Sequence, residues 1–360
     1  MKKILSLFWA VCIALPLFAQ GKGKIDIPDL KGYVTLKCDF HMHTVFSDGS
    51  VWPVVRVDEA YRDGLDAIAI TDHLEYRPKK DDIVASHNRS YEIAEATAKS
   101  SGMMLIRGSE ITREMPPGHH NAIFLTNADE LDQPDYMDAF RAAKAQNAFI
   151  FWNHPGWTAQ QPDTTLWWPE HTKLFEQGIM QGIEVVNGEY YPEAHRWCLE
   201  KKLTMLGNTD VHSPMQIFAP GKHRTMTLVF ARSATAEAIH EALKERRTAV
   251  YHEDFVIGEE IYLKELFANA LEWSMKRNKN VVTVTVKNNS DLCFRLKKTR
   301  SDARLVYFRN TSIEPFTIAP KSTHSFTVRL LEDVQGGDIS FIVENFLTQP
   351  NTGMKYSVKI

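Results

Sequence analysis

From Tyr33 to about Tyr251 the chain repeats one pattern, a short apolar run followed by a helix-length segment. The runs are YVTLKCDF (33–40), LDAIAIT (65–71), MMLIRGS (103–109), NAIFL (121–125), AFIFWN (148–153), GIEVVN (182–187), LTMLGNT (203–209) and TMTLVFA (225–231). Pro53 opens a helix that Gly64 ends, and Pro134–Asn147, Pro192–Lys202 and Thr235–Arg247 carry further helical patterns. Strands that are apolar along their whole length must be buried on both faces. Alternation with helices therefore predicts a parallel sheet clad in helices, as in an α/β barrel.

The text changes after about Asn280. VVTVTV, LCFRL, RLVYF, FTIA, HSFTVRL, DISFIVE and KYSVKI are short alternating strands separated by turn residues such as Asn288-Asn289, Gly336-Gly337 and Pro350-Asn351. That spacing predicts a small antiparallel β-sandwich over 280–360, joined to a barrel at 30–255 by a linker helix within 256–279. At the other end, MKK, the apolar run ILSLFWAVCIALPLF and a small residue at Ala19 read as a secretory signal peptide over 1–19. A periplasmic or secreted protein is the expectation, with no stable membrane span once the leader is cleaved. Cys38, Cys198 and Cys293 are an odd set without close pairs, and read as thiols rather than a disulfide framework. The net charge of −3 gives no basic field for a polyanion, so no specific nucleic acid partner is expected.

Polar residues concentrate where the apolar runs stop. His41 and His43 end the first run, and Asp48-Gly49 follows them. Thr71-Asp72-His73 ends the second, Gly108-Ser109-Glu110 the third, Asn153-His154-Pro155 the fifth, and Asp210 with His212 the seventh; His119 and His120 stand immediately before the fourth. Alternate residues of a strand share a face, so His41 and His43 project together. One such pair is ordinarily a surface feature. Recurrence at successive strand ends is different, because in an α/β barrel those ends converge on the rim where active sites form. Nitrogen and carboxylate oxygen without sulfur suit Zn, Mn or Fe, and the number of donors exceeds what one ion can use.

HMHTVFSDG, ITDH, GSE, Gly-His before a strand, NHP and TDVH, in that order, resemble the PHP (polymerase and histidinol phosphatase) superfamily. With the leader and the β-rich tail, the chain is most similar to its exported bacterial phosphodiesterases of the Sb-PDE type. The resemblance implies a distorted (β/α)7 barrel that hydrolyses phosphate esters with two or three divalent ions. Carried over motif by motif, it implies that His41, His43 and Asp210 hold the first ion and that Glu110 bridges to the second. His119 and His154 complete the second, and Asp48, His73 and His212 hold a third. Of the adjacent pair, the strand register favours His119 over His120.

Two ions close together acidify a bridging water, and the resulting hydroxide can attack phosphorus without a nucleophilic side chain. Arg113 and Arg224 are the candidate phosphate contacts, and His195, His223 and His252 the candidate proton donors. Trp152, Trp157, Trp167, Trp168, Tyr190 and Tyr191 could wall an apolar pocket or pack among themselves. The rim segments are poor in Lys and Arg, which favours a small phosphodiester over a dianionic monoester. The alternatives are a phosphomonoesterase of the histidinol-phosphatase type and a non-catalytic metal- or carbohydrate-binding protein.

Overall fold

The computed structural model of the 360-residue chain describes residues 21–299, 306–309, 315–331 and 336–360. The expected leader and part of the RLVYF segment lie outside them. No helix among the described residues is long and apolar enough to cross a membrane.

The first unit is a distorted α/β barrel. Its strands are β1 (Val34–Asp39), β2 (Ala67–Ile70), β3 (Met104–Ile111), β4 (His120–Ile123), β5 (Phe149–Trp152), β6 (Gly182–Asn187), the short hairpin arm β7 (Glu189–Tyr190), β8 (Thr204–Asn208), β9 (Met226–Ala231) and β10 (Thr248–His252). Helices α1 (Pro53–Arg62), α2 (Arg89–Ser101), α3 (Tyr136–Ala145), α4 (Pro169–Glu176), α5 (Pro192–Lys201) and α6 (Ala236–Lys244) alternate with them. β2, β4, β5, β8 and β9 are buried along their whole length, which is why they read as uninterrupted apolar runs.

The sheet is mixed rather than parallel throughout. β1–β2–β3 and β5–β6–β8 pair in parallel, whereas β4 is antiparallel to both β3 and β5. β9 is likewise antiparallel to β1, and β10 to β9. The reason for β4 is local. Its connection from β3, residues 112–119, is too short for a parallel crossover, which takes about a dozen residues or more. β8 closes the barrel against β9 and β10 through side chains: Thr227 Oγ1 meets Gly207 N and O at 3.0 and 2.9 Å, and Thr248 Oγ1 donates to Met205 O at 2.8 Å. Gly207 permits that approach, since a Cβ there would lie 2.2 Å from Val250 Cγ1.

The expected linker helix over 256–279 resolves into three elements. β11 (Phe255–Gly258) pairs with β10, α7 (Glu260–Ala270) follows, and β12 (Leu271–Asn278) already belongs to the sandwich. β12 is an edge strand, exposed along most of its length, so its polar WSMKRN text lacks the alternation of a half-buried strand. It pairs with β13 (Val281–Asn288), which runs on to β17 (Thr323–Leu330) and β15 (Val306–Arg309).

The opposing layer is β16 (Phe316–Ile318), β14 (Phe294–Lys298), β18 (Asp338–Gln349) and β19 (Thr352–Lys359). This layer does not stop at the domain boundary. β18 pairs in parallel with β11, Val256 opposite Phe346 and Ile257 opposite Leu347. α7 buries Leu263, Leu266 and Phe267 beside that junction, with the Phe267 ring 4.5 Å from Tyr356 and 5.2 Å from Phe294. Cys38 and Cys198 are buried free thiols and Cys293 is a partly buried one.

Candidate metal centre

β1 continues past Asp39 as a ribbon beside residues 209–212. His43 N donates to Val211 O at 3.0 Å, and Asp210 N donates to His41 O at 2.9 Å. Both histidines are fully buried and face the same way, with their Nε2 atoms 3.1 Å apart. Asp210 Oδ1 lies 3.1 Å from His41 Nε2 and 3.0 Å from His43 Nε2. Glu110, at the end of β3, sits behind this trio. Its carboxylate is 3.7 Å from His41 Nε2, 3.5 Å from His43 Nε2, 2.6 Å from His73 Nδ1, 3.1 Å from His119 Nδ1 and 3.6 Å from His154 Nε2. Asp48 completes the ring, 3.1 Å from His212 Nε2 and 3.5 Å from His73 Nε2.

All nine residues expected as metal ligands therefore converge. They form four overlapping groups of three or four donors, each group spanning no more than 4.8 Å. Donors bonded to one ion at about 2.0–2.2 Å stand roughly 3.0–3.5 Å apart at tetrahedral or octahedral angles, the spacing seen here. Glu110 Oε2, Asp210 Oδ1, Asp48 Oδ1 and His154 Nδ1 are buried without a hydrogen bond. Buried carboxylate oxygens that face imidazole nitrogens yet accept nothing from them are what cations held between them would satisfy. The donor set fits divalent ions.

The reversal of β4 explains the place of His119. Since β4 runs against its neighbours, its entrance and not its exit lies at the rim, so the donor precedes the strand. His120, one residue on, points into the apolar layer. It is fully buried between Phe140 and Trp152, with ring centroids 5.0 and 6.4 Å away, and burial holds its pKa well below the usual histidine value.

The local backbone is specialised. A Cβ on Gly49 would meet His43 C and Thr44 N at 2.6 Å, so only glycine lets the Asp48 turn fold back onto the histidine strand. The turn is pinned by Asp72, whose carboxylate accepts from Thr44 N, Thr44 Oγ1 and Ser47 Oγ, each at 2.7 Å. His154 and Asp210 both have positive φ, +29° and +53°, a sparsely populated region that recurs at functional sites.

Charge in the centre is strongly coupled. Burial pushes the Glu110 and Asp210 carboxyls up, but His73, His119 and His41 around Glu110, and His41 and His43 around Asp210, hold both well below the carboxylate range. Burial likewise opposes protonation of His73, yet Glu110 and Asp48 raise its pKa to about 10. His41 is raised well above its usual value against burial by Asp210, Glu184 and Glu110. For His43 burial prevails and its pKa falls.

Several expected residues are elsewhere. Arg224 is almost fully buried and committed to Asp63 at 2.7 Å and Asp39 at 3.3 Å. Arg113 pairs with Glu75 at 2.7 Å and donates to the carbonyls of Gln133 and Pro134. Neither lines the cavity above the donors. His195 is buried against the Tyr190 hydroxyl at 2.8 Å, with its pKa lowered to about 4 by burial, and His223 and His252 line a neighbouring cleft. Of the aromatic cluster, Trp152 stacks on Trp197 in the core, Trp167 packs edge-on against Trp197, and Trp168 donates to Gln161. Trp157 and Tyr191 do face the cavity.

One residue at the centre escaped the sequence reading. Glu184, in the middle of GIEVVN, is fully buried. Its Oε1 accepts from His41 Nδ1 and Asn208 Nδ2, both at 2.9 Å, and its Oε2 from His154 N and Asn187 Nδ2, both at 2.8 Å. The available signal was a lone acid inside an apolar strand. Asn153 plays a similar part, donating to Glu110 Oε1 at 2.8 Å.

The cavity over the donors has a volume of about 770 Å³. Beyond the donors it is walled by Tyr76, Thr112, Trp157, Asn187, Glu189 and Tyr191, and no Lys or Arg among the described residues lines it.

A mixed-sheet barrel with a rim of histidines and carboxylates defines a metal-dependent hydrolase. A solved two-domain protein from Bacteroides vulgatus, containing a predicted PHP-like metal-dependent phosphoesterase, is 52% identical. It matches over 95% of this chain and 100% of its own, with a TM-score of 0.91. The chain belongs to the PHP-like metal-dependent phosphoesterases. Residues 271–359 match an Ig-like domain family, so that family's boundary coincides with the start of β12. An amidohydrolase from Chromobacterium violaceum is 16% identical over 51% of this chain and 92% of its own, at a TM-score of 0.36, too distant to carry an argument. Comparison with curated proteins finds no match.

Proposed function

We propose that the protein hydrolyses phosphodiesters outside the cytoplasm, using two or three divalent ions of Zn, Mn or Fe. The observation that carries the diester assignment is the lining of the cavity. A monoester dianion brings one more charge than a diester and calls for extra cationic donors around its oxygens. Here Trp157, Tyr191 and Tyr76 occupy the walls instead, surfaces suited to an uncharged ester arm. The extracytoplasmic assignment rests on the leader-like segment at 1–19.

His41, His43 and Asp210 would hold one ion, Glu110 with His119 and His154 a second, and Asp48, His73 and His212 a third. Ions bound there would acidify water and neutralise charge on the phosphoryl oxygens. The chain's own residues set the stage. Glu184 accepts the Nδ1 proton of His41, which leaves Nε2 unprotonated and turned toward the donors. Trp157 packs its ring 5.2 Å from His154 and 5.6 Å from His119, covering that side of the centre.

The test is kcat/KM for an aryl phosphodiester against the matching monoester, at one pH and metal loading. A preference for the diester is expected. A clear preference for the monoester would overturn the assignment and restore the phosphomonoesterase alternative.

A further inference from the structure

Beside the metal cavity lies a second cleft of about 730 Å³, across a ridge made by residues 209–212. The ridge divides its residues between the two volumes. Asp210 and His212 face the donors, whereas Thr209 and Val211 face the cleft. Gly188 borders both, and a Cβ placed on it would meet nothing within 4 Å, so the wall there is bare backbone.

The two volumes differ in charge. The metal cavity has no Lys or Arg on its walls among the described residues, while Lys222 and Arg224 line the cleft together with one acid, Glu253, a largely apolar wall from Val211 and Pro214 to Phe218, and His223 and His252, both held below the usual histidine pKa by burial. These basic groups are not equivalent. Arg224 is neutralised by Asp39 and Asp63. His223 is a wall: its ring nitrogens lie 2.7 and 2.8 Å from the carbonyls of Arg224 and Glu253, and its ring packs 3.8 Å from Tyr251. Lys222 is exposed and makes no ion pair among the described residues. His252 is tied to Thr225 through Nδ1 at 2.7 Å, so Nε2 is the nitrogen left to meet a ligand.

We infer that this cleft is the subsite for the second arm of the substrate, and that this arm ends in an anionic group, a carboxylate or a phosphate, met by Lys222 and His252. The inference rests on the phosphodiester reading. With phosphorus at the donors, one arm lies against Trp157 and Tyr191, and the other crosses Gly188 into the cleft. The substrate class is an unsymmetrical diester, apolar on its leaving side and anionic on its retained side. Water adds to phosphorus, the P–O bond to the apolar alcohol breaks, and the anionic arm leaves as its phosphomonoester.

The experiment compares p-nitrophenyl ethyl phosphate, p-nitrophenyl 2-carboxyethyl phosphate and p-nitrophenyl phosphate on the metal-loaded full chain. The carboxyethyl diester should exceed the ethyl diester about two- to fivefold in kcat/KM, as a charge pair to an exposed lysine allows. Lys222→Ala should remove most of that preference and Lys222→Glu should reverse it, while turnover of the ethyl diester stays unchanged in both. Equal rates for the two diesters in the wild-type protein, or an equal loss on both in the variants, would overturn the subsite and leave the diesterase reading intact. Turnover of the monoester alone, with neither diester cleaved, would overturn both.

Discussion

Substituting Glu184 by glutamine changes one buried atom and leaves the shape of the side chain as it was. Each carboxylate oxygen accepts two hydrogen bonds, from His41 Nδ1 and Asn208 Nδ2 at 2.9 Å on one side, and from His154 N and Asn187 Nδ2 at 2.8 Å on the other. All four partners are donors when His41 Nε2 is free to bind a metal. A glutamine has one acceptor oxygen and one NH2 group. Whichever way the amide turns, the NH2 faces two donors and leaves them unsatisfied inside the protein.

If the NH2 faces His41, the ring is driven to the other tautomer, with the proton on Nε2 where a ligand nitrogen must have none. If it faces His154, the loop holding that donor loses its anchor. Loss of a carboxylate that orients a ligating histidine typically lowers metal affinity or activity 10–100-fold, or about 1.4–2.7 kcal/mol. The mismatched donors should also cost about 1–3 kcal/mol of stability. Metal affinity is measured by competition with a chelating indicator well below the melting temperature, and stability by urea denaturation of the metal-free protein. Glu184→Gln that binds metal within about twofold of wild type would refute the positioning role, whatever it did to stability.

Three further outcomes are expected. His119→Ala should lose metal and turnover while staying folded, whereas His120→Ala should keep its metal and lose about 2–4 kcal/mol in urea denaturation, because it opens a hole beside Phe140 and Trp152. Arg224→Ala should cost about 3–5 kcal/mol by leaving fully buried Asp39 without a counter-charge, whereas Asp63 keeps Arg62 at 2.8 Å; a phosphate-binding arginine would instead raise KM at unchanged stability. His73, raised to about 10 in the metal-free protein, contributes stability that is full below the usual histidine value and fades as pH climbs toward 10. As a ligand it must be neutral, so metal loading near pH 7 should release protons and weaken in acid, read by calorimetry in buffers of differing ionisation enthalpy. Uptake without proton release would contradict this.

The donors were legible in the sequence because strand ends are legible: an apolar run that stops at His or Glu marks both the element and its rim residue. His119 could be chosen over His120 for the same reason, since one position in a strand reverses the face. Pairing direction was not legible. The reversal of β4 follows from the length of one connection, which periodicity does not record, and that of β9 from its long-range pairing with β1. The role expected of Arg224 differed for a related reason, as its partners Asp39 and Asp63 lie 185 and 161 positions away in sequence. Glu184 was hidden inside an apolar run whose periodicity identified the strand and said nothing of its single acid. β12 reads as part of a helix because an exposed edge strand loses the alternation that reveals a strand.

The same carboxylate also accounts for the strained backbone at the centre. His154 has φ +29° and precedes Pro155, a position where the following ring already restricts the chain. Such a conformation costs on the order of 1–3 kcal/mol and persists only where neighbours over-determine it. Glu184 Oε2 holds His154 N at 2.8 Å, while Oε1 of the same group holds the His41 ring at 2.9 Å. Asp210, at φ +53°, is fixed in the same manner by the His41 carbonyl at 2.9 Å. His41, His154 and Asp210 are thus linked through hydrogen bonds that involve no ligand atom turned toward the cavity. Their relative placement is held by hydrogen bonds within the chain itself, which leave the ring and carboxylate atoms that face the cavity free for a ligand.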